Sequence, residues 1–272
     1  MSGDLSDDLF FGGRLKLLQP RKGHRVGTDA ALLTAAARGR MADGGLVADF
    51  GAGVGAVGLS LALSGAGRAT LVEIDPATAG IAVENIRRNG LGDKVEVRTG
   101  DVADVGRSDR SPRRDSLDLV VANPPFDAAR RFRASPDADK ARAHAADEGL
   151  VDIWMRAAAR VLRPGGCLVM IHRPEAIGDL VARSEGRFGG ARLRAVHARA
   201  AEPAIRILFA ARKGSRGALA LLPPLVLHGE GDAFTPEAMD IQRGEATLAM
   251  DDTKTPAARA GVVRVRSDAP DQ

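Results

Sequence analysis

The sequence has little cysteine, few aromatics and no long apolar run, and each shortage removes a class of explanation. Cys167 is the single cysteine in 272 residues, so an internal disulfide is impossible. Set in the apolar run CLVMI, it reads as a packed core thiol, and a cytoplasmic location fits. The apolar run ALALLPPLVL is short and broken by two prolines, and the N-terminus MSGDLSDD is acidic, so neither a membrane span nor a signal peptide is expected. No repeat of fixed period occurs. Low complexity is confined to GRSDRSPRRDS (106–116) and the polar end beyond 251. No metal is expected.

Among what is present, a hydrophobic fraction of 44% lets the chain bury one large core. The excess of 39 Lys+Arg over 35 Asp+Glu is small, yet the arginines cluster, which suits either a polyanionic partner or a solvated surface. From Leu46 onward short apolar strands alternate with helical patterns: LVADF (46–50), ATLVE (69–73), VEVR (95–98), LDLVV (117–121) and CLVMI (167–171). Helices are expected near 55–63, 76–89, 149–162 and 174–184, and before them at 23–37 with Thr28 as cap. ARLRAVH (191–197) and AIRILFA (204–210) predict an antiparallel hairpin, and ALALLPPLVL one more strand interrupted by Pro223 and Pro224. This alternation predicts an α/β, Rossmann-like, doubly wound sheet of seven strands, mostly parallel with a C-terminal antiparallel hairpin. The expected divisions are 1–45, an N-terminal extension and packing helix; 46–213, the main domain; 214–250, a strand and cover; and 251–272, a flexible tail.

Four consecutive strand ends carry residues suited to a ligand, at the edge where open α/β sheets bind them. The first runs Asp49-Phe50-Gly51-Ala52-Gly53-Val54-Gly55, where alternate glycines let backbone approach a ligand and the next helix offers N–H groups to an anion. A tight turn and a dinucleotide site remain alternatives, since Gly53, Gly55 and Gly58 satisfy GxGxxG. The second ends in Glu73, placed to accept from two ribose hydroxyls, while Asp75 reads as a helix cap. The third offers Asp101 and the Val102 N–H to the edge of an adenine, or Asp101 is a plain loop acid. The fourth ends in Asn123-Pro124-Pro125-Phe126.

With that set assembled, the chain resembles the class I S-adenosylmethionine-dependent methyltransferases over about 47–213, and NPPF resembles their motif for methylating an amino group conjugated to a π system. The resemblance implies S-adenosylmethionine bound by Asp49, Gly51, Ala52, Gly53, Gly55, Glu73, Asp101 and Val102. An exocyclic amine conjugated to a ring is a poor nucleophile until its hydrogens are held by acceptors. The Asn123 side-chain oxygen and the Pro124 carbonyl supply those acceptors, Pro125 stiffens the turn, and Phe126 offers a stacking face.

The flanks narrow the substrate. GHRVGTDAALL, NPPF, RASPDADKARAH (133–144) and PAIRILFAARKG are similar to a bacterial family of tRNA adenine 6-amino methyltransferases acting next to the anticodon of valine tRNA, over about 10–247. That likeness implies an RNA partner, most simply tRNA, gripped by Arg130, Arg131 and Arg133, or else these arginines border a solvated loop. Ribosomal RNA guanine 2-amino methylation remains the main alternative. A protein glutamine enzyme would carry NPPY and a helical domain ahead of the glycine loop; here only 48 residues precede Asp49, and the chain has no tyrosine. An inactive nucleoside- or RNA-binding module would be expected to lack Asn123 or the glycine loop. Arg107, Arg110, Arg113 and Arg114 form a second basic loop whose role, RNA contact or local insertion, is open.

Overall fold

The computed structural model describes residues 4–22, 25–108, 112–125, 136–251 and 262–264. A hairpin comes first, β1 (Leu5–Phe10) antiparallel to β2 (Leu15–Pro20), followed by α1 (Thr28–Arg38). Then β3 (Leu46–Phe50), α2 (Ala56–Leu63), β4 (Arg68–Glu73), α3 (Pro76–Arg88), β5 (Val95–Thr99) and β6 (Leu117–Ala122) alternate. After these come α4 (Pro136–Val161), β7 (Leu162–His172), α5 (Ile177–Ser184), β8 (Phe188–His197), β9 (Ala204–Lys213) and β10 (Ala220–Val226). The chain closes with α6 (Pro236–Gln242), β11 (Ala246–Leu248) and β12 (Val262–Arg264).

Eight strands form one sheet in the order β10-β8-β9-β7-β6-β3-β4-β5. Only β9 runs against its neighbours, so the seven-stranded expectation holds and β10 adds an eighth at the edge, parallel to β8. The strands from Val47 to Phe50 and from Leu119 to Ala122 are buried throughout, as parallel strands covered on both faces must be. One apolar cluster joins α1, α2, α3 and the N-terminal hairpin to one face; the other joins α4 and α5 to the opposite face. Because α2 is packed between sheet and neighbouring elements, its sequence AVGLSLAL is apolar almost all round.

Pro223 and Pro224 are tolerated because β10 is an edge, and the ladder shifts register between Leu222 and Leu225. The buried Arg194 of β8 donates to the Pro223 carbonyl at 2.5 Å and to the Ala249 carbonyl at 2.7 Å, partners that a regular ladder there would not need.

Several local expectations shift. Gly27, not Thr28, is the cap of α1, and the Thr28 side chain makes no capping bond; the Val26 N–H is held by Gln19 Oε1 at 2.9 Å, and the Ala30 N–H by the Gly27 carbonyl, which starts the helix one residue earlier. The helix expected at 149–162 begins at Pro136, and the one expected at 174–184 starts as a 3-10 turn at Pro174–Ala176 before α5. Within 251–272, read as a flexible tail, residues 262–264 form β12 against β11.

Much of the basic stretch before α1 is used in the fold. Arg14 donates to the Arg243 and Gly244 carbonyls, and Arg25 pairs with Asp8 at 2.9 Å. The hairpin docks on α3 through an asparagine pair one turn apart. Asn89 bonds both the N–H and the carbonyl of Lys16, and Asn85 bonds both the N–H and the carbonyl of Leu18. Two side chains on one helical face thus do what a neighbouring strand would do for β2.

Candidate active site

The glycine loop is built so that its own donors and acceptors meet. The Ala52 N–H donates to the Val72 carbonyl at 3.0 Å, the Gly53 N–H to Glu73 Oε2 at 2.8 Å, the Gly55 N–H to the Ala52 carbonyl at 2.9 Å, and the Gly58 N–H to Asp49 Oδ2 at 2.9 Å. Of the helix N–H groups expected to face an anionic ligand, that of Gly58 is taken by Asp49, and the loop N–H groups of Ala52, Gly53 and Gly55 bond within the protein as well. The loop instead offers shape. Gly51 and Gly53 both have positive φ, yet a side chain would meet different things at each. A Cβ on Gly51 would lie 2.5 Å from the Trp154 ring, whereas a Cβ on Gly53 would meet nothing within 4 Å. Gly51 is therefore small for the protein's sake, and Gly53 leaves an open surface at the sheet edge.

Asp49 is buried, and burial pushes its carboxyl up to about 7, with the Gly58 N–H opposing and the Glu73 carboxylate reinforcing the shift. Its role is to clasp the start of α2 to β3. Glu73 sits at the end of β4 and is nearly buried. One oxygen accepts from Gly53 and the other from the Asp75 N–H at 3.0 Å, which leaves each oxygen a further lone pair. Asp75 caps α3 as expected, accepting from the N–H and the hydroxyl of Thr78, and these bonds hold its carboxyl below the usual range. Asp101, at the end of β5, accepts from the Ala103 N–H at 2.8 Å, which opens a 3-10 turn at Val102–Asp104; the Val102 side chain is buried beneath it.

At the end of β6 the situation reverses. Asn123 Oδ1 is buried and, among the described residues, has no hydrogen-bond partner. A buried acceptor without a donor costs about 1–3 kcal/mol, so it is an exception that calls for a reason. Pro124 beside it is buried and Pro125 exposed. Phe126, Arg130, Arg131 and Arg133 lie outside the described residues.

Four residues around this edge escaped the sequence reading. Trp154, the only tryptophan, comes from α4 and lies against Gly51. Arg160, also on α4, donates to the Ala103 and Val105 carbonyls and fixes the turn that follows Asp101. The fully buried Asn85 donates from Nδ2 to the Val54 carbonyl at 3.0 Å, tying the glycine loop to the same residue that docks the hairpin. His172 ends β7 next to β6, two residues beyond the Ala122 to Met170 pairing. Burial pushes it down to about 4, with the adjacent Arg173 in the same direction, and its Nδ1 accepts from the Arg173 N–H, so the ring is neutral at physiological pH. None of the four belongs to a local motif, and the partners of Trp154, Arg160 and Asn85 lie tens of residues away.

The arrangement fits an adenosine-bearing cofactor. An open glycine surface adjoins a strand-end acid with lone pairs to spare, and a buried amide oxygen waits one strand further along. Among the described residues no group of His, Cys, Asp and Glu could hold a metal ion, and no helix is long and apolar enough to cross a membrane.

Residues 25–179 match the model of the methyltransferase small domain. The chain is 32% identical over 186 residues to a tRNA1(Val) (adenine(37)-N6)-methyltransferase of Musicola paradisiaca, covering 67% of this chain and 71% of that one. It is 33% identical to a release factor glutamine methyltransferase of Moorella thermoacetica, over 52% of this chain and 51% of the relative. Among solved structures, that of a predicted O-methyltransferase from Agrobacterium tumefaciens superposes with a TM-score of 0.65 at 29% identity, covering 80% of this chain and 97% of the other.

Proposed function

Because the chain belongs to the methyltransferase small domain family and is an S-adenosylmethionine-dependent methyltransferase, we propose that its substrate is the 6-amino group of an adenosine in tRNA. What supports this reading most is the buried Asn123 Oδ1 at the end of β6, which has no hydrogen-bond partner among the described residues. An acceptor kept out of water and left without a donor suits a substrate that brings its own N–H.

The cofactor supplies an electrophilic methyl group on a sulfonium. Gly51 to Gly55 would hold it against the open glycine surface, Glu73 would accept hydrogen bonds from its ribose hydroxyls, and Asp101 with the Val102 N–H would bind its adenine. Asn123 Oδ1 accepts one hydrogen of the target amine and the Pro124 carbonyl the other. With both hydrogens held, the nitrogen lone pair leaves the ring plane and is aimed for in-line attack. Pro125 limits the movement of these acceptors, and Phe126 stacks on the extruded base. Once alkylated, the nitrogen is acidic enough to lose its proton to water, so no strong base is required; a neutral His172 nearby is compatible with that. Arg130, Arg131 and Arg133 grip phosphates flanking the base.

The relative from Musicola paradisiaca carries this activity in its name, and the Moorella thermoacetica relative shows that similar chains serve other acceptors. Mass mapping of modified nucleosides from cells with and without the gene tests the choice. Loss of 6-methyladenosine from a tRNA is expected. Loss of 2-methylguanosine from ribosomal RNA, or of a methylated glutamine from a protein, would replace the adenosine reading.

A further inference from the structure

The second basic loop is not an isolated insertion. It returns along the last turns of α4, where the Asp115 N–H donates to the Arg160 carbonyl at 3.1 Å and the Ser116 N–H to the Val161 carbonyl at 2.8 Å. At the other end, a Cβ on Gly106 would meet Val161 and Arg160, so the chain lies directly on the helix there too. This packing brings Arg107 and Arg114 close enough to Arg160 for their charges to act on it, with Arg156 one turn back on the same helix. Arg107, Arg156 and Arg163 are well over half exposed. Arg160 is committed to the Ala103 and Val105 carbonyls; burial holds its guanidinium below the usual range, and the charges of Arg107 and Arg114 act in the same direction, as does Arg156.

The local acids are few and shared. Asp104 approaches Arg107 only to 3.7 Å, Asp152 serves both Arg156 and Arg187, Asp118 serves Arg163, and Asp115 is taken by Lys213. Among the described residues this surface therefore keeps a surplus of positive charge. It starts beside the turn that follows Asp101 and lies on the last turns of α4, C-terminal to Trp154. From Trp154 to Val161, where α4 ends, the helical rise corresponds to about 10 Å, enough to span about two phosphates of a nucleic-acid strand.

We propose that Arg107, Arg114 and Arg156, on the packed loop and the outer face of α4, form an auxiliary RNA-backbone contact that holds the substrate outside the catalytic turn. The proposal rests on the RNA reading above and extends it to a surface remote in sequence from NPPF.

The test compares wild type with two triple variants, Arg107→Gln/Arg114→Gln/Arg156→Gln and the corresponding Arg→Lys set, by binding to an unmodified tRNA transcript across a salt series. Each phosphate contact to a single strand contributes about 0.7 to the slope of log K against log salt. Losing three should lower that slope by about 2 and weaken binding about 100-fold at 0.1 M salt. The Lys variant should keep the wild-type slope, and both variants should keep the wild-type melting temperature and S-adenosylmethionine affinity. Wild-type slope and affinity in the Gln variant would overturn the proposal while leaving the RNA reading intact, as would a slope lost equally in the Lys variant. A wild-type protein that neither binds nor methylates any tRNA would bring down the RNA reading and, with it, this surface.

Discussion

The two halves of the sheet's carboxyl edge are finished to different degrees. At β3 and β4 the protein satisfies itself: Ala52, Gly53, Gly55 and Gly58 donate to Val72, Glu73, Ala52 and Asp49, so the loop is held by the protein's own bonds. At β6 the Asn123 oxygen is buried and left waiting. The contrast suggests a division of labour. Under the proposed function, the cofactor half offers a preformed shape, whereas the acceptor half offers an oxygen, without a partner among the described residues, that a substrate amine would complete, so that substrate binding and activation would be the same event.

Removing the waiting acceptor should give the largest effect. Asn123→Ala is expected to lower kcat by about 100-fold or more, as deleting one preorganised polar contact does in other sites, while S-adenosylmethionine affinity by calorimetry stays within about twofold. Full activity in that variant would sink the assigned role.

Next come the two glycines that look alike in sequence. Gly51→Ala forces a methyl into Trp154 and should cost about 2–4 kcal/mol of stability in a denaturant titration, with fluorescence of the lone tryptophan altered before any ligand is added. Gly53→Ala pays only the positive φ, about 1 kcal/mol, but places its methyl on the cofactor side and should weaken S-adenosylmethionine binding more than tenfold. Equal effects on stability and affinity in both variants would erase the distinction between a glycine that serves the fold and one that serves the ligand.

A smaller effect separates Asn85 from Asn89. Asn85→Asp retains an acceptor for the Leu18 N–H but loses the donor to Val54, and should raise KM for S-adenosylmethionine several-fold with little change in kcat. Asn89→Ala loosens only the hairpin and should leave that KM unchanged. The smallest effect is on pH dependence. Asp49 is neutral in the fold up to about pH 7 but ionises near 4 when unfolded, so its contribution to stability falls as pH rises from about 4 to 7. Asn in its place should flatten that fall in cofactor-free protein; an unchanged profile would show that Asp49 is already ionised in the fold.

Much of this was legible in the sequence because it is local. Strands such as LVADF and LDLVV announce themselves by composition, glycines at 51, 53 and 55 mark a turn, and Asp75 before a proline reads as a cap. What was hidden is tertiary. No periodicity says that Trp154 will lie on Gly51, or that Asn85 will reach Val54. The hairpin of β1 and β2 was obscured by LSDDLF, where two adjacent acids interrupt the apolar pattern. β10 was readable as a strand, but only the sheet order shows why its two prolines do no harm. The glycines at 51, 53 and 55 were readable as a turn, but that the Ala52, Gly53, Gly55 and Gly58 N–H groups bond within the protein was not.

The most direct test of the central claim is single-turnover methylation of an unmodified tRNA transcript by wild type and Asn123→Ala, with digestion to nucleosides and mass analysis. The account predicts 6-methyladenosine from wild type and almost none from the variant, although both bind S-adenosylmethionine equally. Methylation of another nucleoside, or 6-methyladenosine at equal rates from both proteins, would contradict it.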